Sequence, residues 1–143
     1  MVNNINTKAF GKNDIRGIFP SEVNAQMFFV AAKAYVTFVL EQLKKQGSTK
    51  TVRELLFGVC MDARVHSLEL KKAIVQGVTS MGANVLDLGL APTPLGYFSE
   101  FAKIDTDVTE GKKIIGALII TASHNPSEYN GLKMTLEGFF HQK

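Results

Sequence analysis

Seven consecutive apolar residues, Ile114-Ile115-Gly116-Ala117-Leu118-Ile119-Ile120, constrain this 143-residue chain more than any other feature. A run with no polar alternation suits a strand covered on both faces, as in a parallel sheet between helices. Leu55-Leu56-Phe57-Gly58-Val59-Cys60-Met61 reads the same way. Helical patterns lie between and before these runs. Ser21 and Glu22 read as the cap and first turn of a helix reaching Lys44-Lys45-Gln46, where the lysines favour the negative end of the dipole and Gly47 stops it. Its apolar residues cover most of the circumference, so it is expected to be buried on more than one side. A second helix opens at Ser67, with Leu70, Ala73, Ile74, Gly77, Val78 and Met81 at helical spacing, and Gly82 ends it. Val85–Leu88 is a short strand. Thr93 then caps a helix with Pro94 at its first position and Leu95, Phe98, Phe101 and Ala102 as its buried stripe. Asp105–Lys113 reads as a polar loop. Asp14–Ile18 is a short extended piece, and Asn130-Gly131 reads as a tight turn into a last strand, Leu132–Leu136. The order predicts a single α/β domain: three layers, α/β/α, around a mixed, mainly parallel sheet.

Charge and composition exclude several function classes. The net charge is +3, and no Lys/Arg cluster is longer than a pair, so no nucleic-acid partner is expected. A mildly basic pocket for a small anion fits that balance. One cysteine, Cys60, allows no internal disulfide and fits a reducing compartment; its apolar surroundings mark it as core. The N-terminus lacks the layout of a signal peptide. The richest apolar stretch, Ala25–Leu40, is too short for a bilayer span and carries Lys33. A soluble, cytoplasmic protein without membrane contact is expected.

In open α/β sheets ligands gather at the carboxyl ends of strands. The strand 114–120 ends in Thr121-Ala122-Ser123-His124-Asn125-Pro126. A hydroxyl, an imidazole and a carboxamide thus stand on a turn that Pro126 stiffens by restricting Asn125. From strand context alone this is either a polar turn or a site. A hydrolytic serine is disfavoured: Ser123 and His124 are neighbours, and the glycines of a nucleophile elbow are missing. His66 and His141 make no metal-ligand spacing with His124 and read as surface residues. Asp105-Thr106-Asp107-Val108-Thr109 mimics a phosphotransferase nucleophile loop but follows a helix, so Asp105 and Asp107 read as a solvated loop.

Four motifs in order carry a resemblance. Ser123-His124-Asn125-Pro126 with Tyr129-Asn130-Gly131-Leu132-Lys133 resembles the phosphoserine loop of the α-D-phosphohexomutase superfamily. Phe10-Gly11-Lys12-Asn13-Asp14-Ile15-Arg16-Gly17 is similar to its N-terminal signature. Asp62-Ala63-Arg64 with Ser67, Glu69 and Leu70, and Ala91-Pro92-Thr93-Pro94, complete the set. Two positions depart from the pattern. Asn13 stands where phosphomannomutase-like members carry an aromatic, which bears on sugar contacts. Met61 stands where many carry arginine, which bears on the local charge network.

The resemblance implies that residues 1–143 are the first of four domains, with the metal-binding and sugar-selecting loops beyond Lys143. It implies a phosphomannomutase or phosphoglucomutase, rather than a phosphoglucosamine mutase, that moves a phosphoryl group between the 1- and 6-positions of a hexose phosphate. Ser123 would carry the phosphate and reach Mg²⁺ through it, and a hexose 1,6-bisphosphate would serve as activator. Lys133 would do acid/base work after the Asn130-Gly131 turn folds it back towards the loop; otherwise it is a solvated strand lysine. Arg16 would stabilise the transferring group; otherwise it is an ion pair with Asp14 or Asp62. His124 would donate to the phosphate or else brace the turn, and Asn125 would join the phosphate-binding set. The isolated domain is expected to be inactive, its partners being the other domains. The alternative is a free-standing module that binds a phosphosugar or a protein without turnover. Ten phenylalanines, with Phe139 and Phe140 near the end, lead to two expectations. Either the domain pairs as a symmetric homodimer, or these rings fold back on its own core.

Overall fold

The structure, a computed structural model, describes residues 5–104 and 106–137. Five strands form one sheet: β1 (Ile15–Ile18), β2 (Leu56–Met61), β3 (Asn84–Leu90), β4 (Ile114–Ile120) and β5 (Tyr129–Met134), in the order β1-β5-β4-β2-β3. β2 pairs in parallel with both β3 and β4, and β5 runs antiparallel to both β4 and β1. Four strands therefore share a direction and β5 alone opposes them, the mixed, mainly parallel sheet that the apolar runs predict. Every residue of β4 is buried, as its unbroken hydrophobicity requires.

α1 (Ala25–Lys45) and α2 (Ser67–Ser80) pack on each other and on the sheet. Gly77 lets them approach, since a Cβ there would lie 2.6 Å from the Phe29 carbonyl oxygen. Phe28, Val36, Val39, Leu70, Ile74 and Val78 are fully buried in the main core with Phe57, Val59 and Leu118. On the opposite face α3 (Thr93–Phe98) covers a smaller cluster of Cys60, Ala91, Ala117 and Ile119. No helix of the described residues is long and apolar enough to cross a membrane.

Several expectations are corrected. The cap of α1 is Asn24, not Ser21: Asn24 is extended and its Oδ1 accepts from the Met27 N–H at 3.0 Å. Ser21 and Glu22 form the preceding turn, where Glu22 Oε2 takes the Ile18 N–H at 2.8 Å. Thr93 lies inside α3, with Pro92 as the cap. The predicted buried stripe of α3 is reversed. Leu95, Phe98 and Phe101 are 46%, 62% and 58% exposed, while Gly96, Ser99 and Glu100 face inward. The cause is close packing: a Cβ on Gly96 would sit 2.6 Å from Ile119 Cδ1, so only the small face of α3 fits the sheet. The Asp105–Lys113 loop holds one short helix, α4 (Thr106–Thr109). Asp107 is exposed, as expected; Asp105, Phe139, Phe140 and His141 lie outside the described residues. Asn130-Gly131 is not a turn but lies within β5. A Cβ at Gly131 would meet the Ile15 and Thr121 carbonyl oxygens at 2.4 and 2.8 Å, so glycine serves close strand approach there.

Candidate active site

β4 delivers the segment 121–128 to the carboxyl end of the sheet. Ser123 and His124 are exposed there, and Ser123 holds the left-handed φ of +54°. A non-glycine residue in that region is strained by about 1–2 kcal/mol, so other contacts must hold it. Two do so directly. The Ser123 N–H donates to Thr121 Oγ1 at 2.9 Å, and Arg64 Nη2 donates to the Ser123 carbonyl at 3.2 Å. Arg64 also donates to the Asn125, Pro126 and Tyr129 carbonyls at 2.7, 2.6 and 3.1 Å. One guanidinium thus ties four main-chain oxygens of the Ser123 loop, which its planar fork can do and an ammonium cannot.

Asp62 orients both of these holders. Its Oδ2 accepts from Thr121 Oγ1 at 2.9 Å and from Arg64 Nε at 3.1 Å. Its Oδ1 accepts from Ser67 Oγ at 2.6 Å and from the Arg64 N–H at 3.1 Å. Burial alone would raise the Asp62 carboxyl, but the bonds from Ser67, Arg64 and Thr121 prevail and hold it below the ordinary aspartate range. Asn130 extends the frame, its Nδ2 donating to Ser67 Oγ at 2.9 Å and to His66 Nδ1 at 2.8 Å. His66 is therefore not the surface residue expected. Its ring stacks on Phe19 with centroids 4.6 Å apart, and its Nε2 lies 3.2 Å from the Ser127 carbonyl, so it braces the far end of the loop.

The cations come from the other edge. Arg16 on β1 donates through Nη1 to Asn125 Oδ1 at 2.6 Å and through Nη2 to Asp14 Oδ2 at 2.5 Å. Lys133 on β5 donates to the same Asp14 oxygen at 2.9 Å. Lys133 is not a solvated lysine, since its side chain is 19% exposed. It reaches the site along β5 itself; the connection that returns the chain is 121–128, not Asn130-Gly131. Arg16 makes the ion pair with Asp14 and also the contact to the Ser123 loop. Burial would raise the Asp14 carboxyl, yet the bonds from Lys133 and Arg16 hold it below the usual range. Ser123, Asn125, Arg16 and Lys133 are thus gathered in one hydrogen-bonded assembly. The exposed His124 ring makes no hydrogen bond to another described residue, so the turn-bracing role falls to Arg64.

Other groups are less suited to chemistry. Cys60 is buried, and burial pushes its thiol up to about 11, which makes it inert core as expected. No group of three or more His, Cys, Asp or Glu among the described residues can hold a metal ion. The Asp62 and Asp14 carboxylates each accept hydrogen bonds from neighbouring cations, so the described residues offer no ready carboxylate cluster beside Ser123. A cleft of about 410 Å³ opens beside Lys133 and is lined also by Lys12, Asn13, Tyr97, Glu100 and Thr135.

The frame residues Asp62, Arg64, Thr121, His66 and Asn130 were not among the predicted site residues. The signal lay in adjacency: Asp62-Ala63-Arg64 follows β2, and β2 lies beside β4, so their carboxyl ends share one rim.

Comparisons with known proteins bear on the family and the fold. Residues 7–141 match the family model for phosphoglucomutase/phosphomannomutase, alpha/beta/alpha domain I. A "probable phosphoglucosamine mutase" of Thermococcus gammatolerans is 38% identical over 126 residues, covering 87% of this chain and 23% of that protein. A "phosphoglucomutase/phosphomannomutase" of Thermococcus kodakarensis is 35% identical, covering 89% and 24%. A crystal structure of a phosphoglucomutase/phosphomannomutase family protein from Burkholderia thailandensis superposes with a TM-score of 0.77 at 29% identity, covering 94% of this chain and 27% of that one. The chain spans about a quarter of the length of the curated relatives it matches.

Proposed function

The chain belongs to the phosphoglucomutase/phosphomannomutase family, matching its α/β/α domain I, and on that premise we propose that it is the phosphoserine-bearing domain of a hexose-phosphate mutase. The observation that supports the reading is an exposed, conformationally strained Ser123 on a loop whose Asn125 is held by Arg16, beside a cluster in which Arg16 and Lys133 share Asp14.

Phosphoryl transfer needs positive charge and positioning more than covalent machinery. Ser123 carries the phosphoryl group at rest. Its Oγ–P bond breaks as a P–O bond forms to a hydroxyl of a hexose 1- or 6-phosphate, giving a hexose 1,6-bisphosphate. The intermediate turns over in the site and returns its other phosphate to Ser123. Lys133, an ammonium at rest beside Asp14, gives its proton to the leaving oxygen and, once neutral, takes the proton of the attacking hydroxyl. Arg16 offsets charge on the transferring group, while Asn125 holds its guanidinium toward the loop. The exposed His124 ring lies within the loop and donates to the phosphate. Mg²⁺, a hard ion, would take one oxygen of the Ser123 phosphate, with its other donors from outside the described residues. Hexose 1,6-bisphosphate would restore any Ser123 that loses its phosphate.

The isolated 143-residue chain is proposed to be inactive, the sugar-selecting contacts lying in the further domains of a longer protein. A coupled mutase assay tests this with glucose, mannose and glucosamine phosphates, Mg²⁺ and a hexose 1,6-bisphosphate. No turnover is expected from the chain alone. Turnover that Ser123→Ala abolishes would overturn the reading of an incomplete domain while keeping the site.

A further inference from the structure

We propose that Asp14 is a positioning residue and internal competitor: it holds Arg16 and Lys133 side by side as their resting counter-ion and yields at least one of them to an arriving phosphomonoester dianion. This rests on the phosphoryl-transfer reading and assigns a role to a residue outside that chemistry.

The placement follows from the sheet. Arg16 pairs across β1 and β5 with Gly131, and Ile15 pairs with Leu132. One residue further along this register, Asp14 comes opposite Lys133. Alternation along a strand puts Asp14 and Arg16 on one face, and Lys133 with Gly131 on the same side. Gly131 has no side chain to stand beneath Arg16. Three charges therefore meet on one patch.

A single atom joins them. Asp14 Oδ2 takes Arg16 Nη2 at 2.5 Å and Lys133 Nζ at 2.9 Å. The Asp14 side chain is 16% exposed, so water screens this poorly. The backbone beneath it is fixed, because the Asp14 carbonyl accepts from the Gly11 N–H at 2.8 Å and Phe10 bridges to Ile15. Without the carboxylate two cations would face each other across the patch and repel. With it the patch carries one net positive charge and both side chains keep their positions. A phosphomonoester brings about two negative charges at neutral pH and so out-competes a single carboxylate for the same donors. The depressed Asp14 carboxyl fits a group that stays ionised throughout.

A merely structural aspartate and a competing one make opposite forecasts for anion binding. The probe is inorganic phosphate at slightly alkaline pH, titrated into the 143-residue chain and read by NMR at the labelled Lys133 side chain. Asp14→Asn is expected to bind phosphate about tenfold more tightly than the unaltered chain, because one neighbouring negative charge is gone. It is also expected to speed acetylation of Lys133 relative to Lys112 and Lys113, and Asp14→Glu is expected to restore the slow rate. Equal or weaker phosphate binding by Asp14→Asn overturns the proposal, as does an unchanged Lys133 acetylation rate. If Asp14→Asn fails to fold, Lys133→Met decides. In that variant the Asp14 carboxyl, followed by NMR, is expected to titrate nearer the ordinary aspartate range, and a carboxyl that does not move overturns the shared contact. None of these readings needs turnover, so an inactive chain leaves the test of Asp14 intact.

Discussion

Replacing Arg64 with alanine removes the one side chain that ties together the Ser123, Asn125, Pro126 and Tyr129 carbonyls. Each hydrogen bond from a charged donor is worth about 1.5–3 kcal/mol net. Four such terms are not independent, because one loop and one guanidinium share them. Arg64 is also paired with Asp62, and the two side chains are only 14% and 24% exposed. Breaking a buried pair by removing one partner costs about 3–5 kcal/mol. Partial exposure and relaxation of the loop bring the expectation to about 3 kcal/mol, a large share of the about 5–15 kcal/mol that holds a domain together. At a urea slope of about 2 kcal/mol per molar, the unfolding midpoint should fall by about 1.5 M. Arg64→Lys should recover less than half of the loss, since one ammonium cannot span four carbonyls. Amide exchange adds a local readout: the Asn125 and Tyr129 N–H groups, bonded to the Ala122 and Pro126 carbonyls, should lose protection. A midpoint within error of the unaltered chain, together with unchanged protection at those two amides, would refute the clamp.

Three further outcomes follow from the same geometry. The Asp62 carboxyl titrates below its ordinary range in the fold, so its stabilising contribution is complete above the unfolded value of about 4 and is lost as pH falls through the lower native value. Urea midpoints should hold between neutrality and mild acid and then drop, and Asp62→Asn should flatten that acid slope; an unchanged slope would contradict the assignment. Gly131→Ala should destabilise by about 1–3 kcal/mol, because the new Cβ meets two backbone oxygens that cannot swing aside. A neutral effect in thermal unfolding would show that β1, β5 and the end of β4 do not approach as closely as described. The exposed apolar side chains of Leu90, Leu95, Tyr97 and Phe98 should make the chain self-associate, with Phe98→Glu returning it to monomer. A single monomer mass at every concentration in sedimentation equilibrium would show this wrong.

Much of the fold could be read from residue order because the two long apolar runs admit few alternatives. A strand with no polar face needs cover on both sides, and β4 has it. The errors arose where tertiary contact overrode local preference. Asn130-Gly131 has the chemistry of a turn, but Asn130 spends its carboxamide on His66 and Ser67, and Gly131 is needed where three strands crowd. The α3 stripe misled because helical periodicity locates a face without saying which face the sheet accepts. Gly96 fits over Ile119, and Leu95 and Phe98 are left outside. The candidate site was legible in Ser123 and Asn125 at the end of β4, and in Arg16 and Lys133 through the resemblance alone; the fold sets Arg16 against Asn125 and both cations against Asp14. Its frame was less so, because the importance of Arg64 lies in carbonyl oxygens about sixty positions away that no local pattern reveals. Asp14 was visible as a partner for Arg16, but its sharing with Lys133 depends on strand register.

The central claim is that Ser123 is the residue that holds the phosphoryl group. Peptide-mapping mass spectrometry of the protein recovered from its own cells, before and after exposure to a hexose 1,6-bisphosphate with Mg²⁺, tests it most directly. The account predicts one phosphate, on Ser123, whose occupancy rises with the bisphosphate and falls with a hexose monophosphate. A phosphate carried on another residue, or a Ser123 that stays unmodified under both conditions, would contradict it.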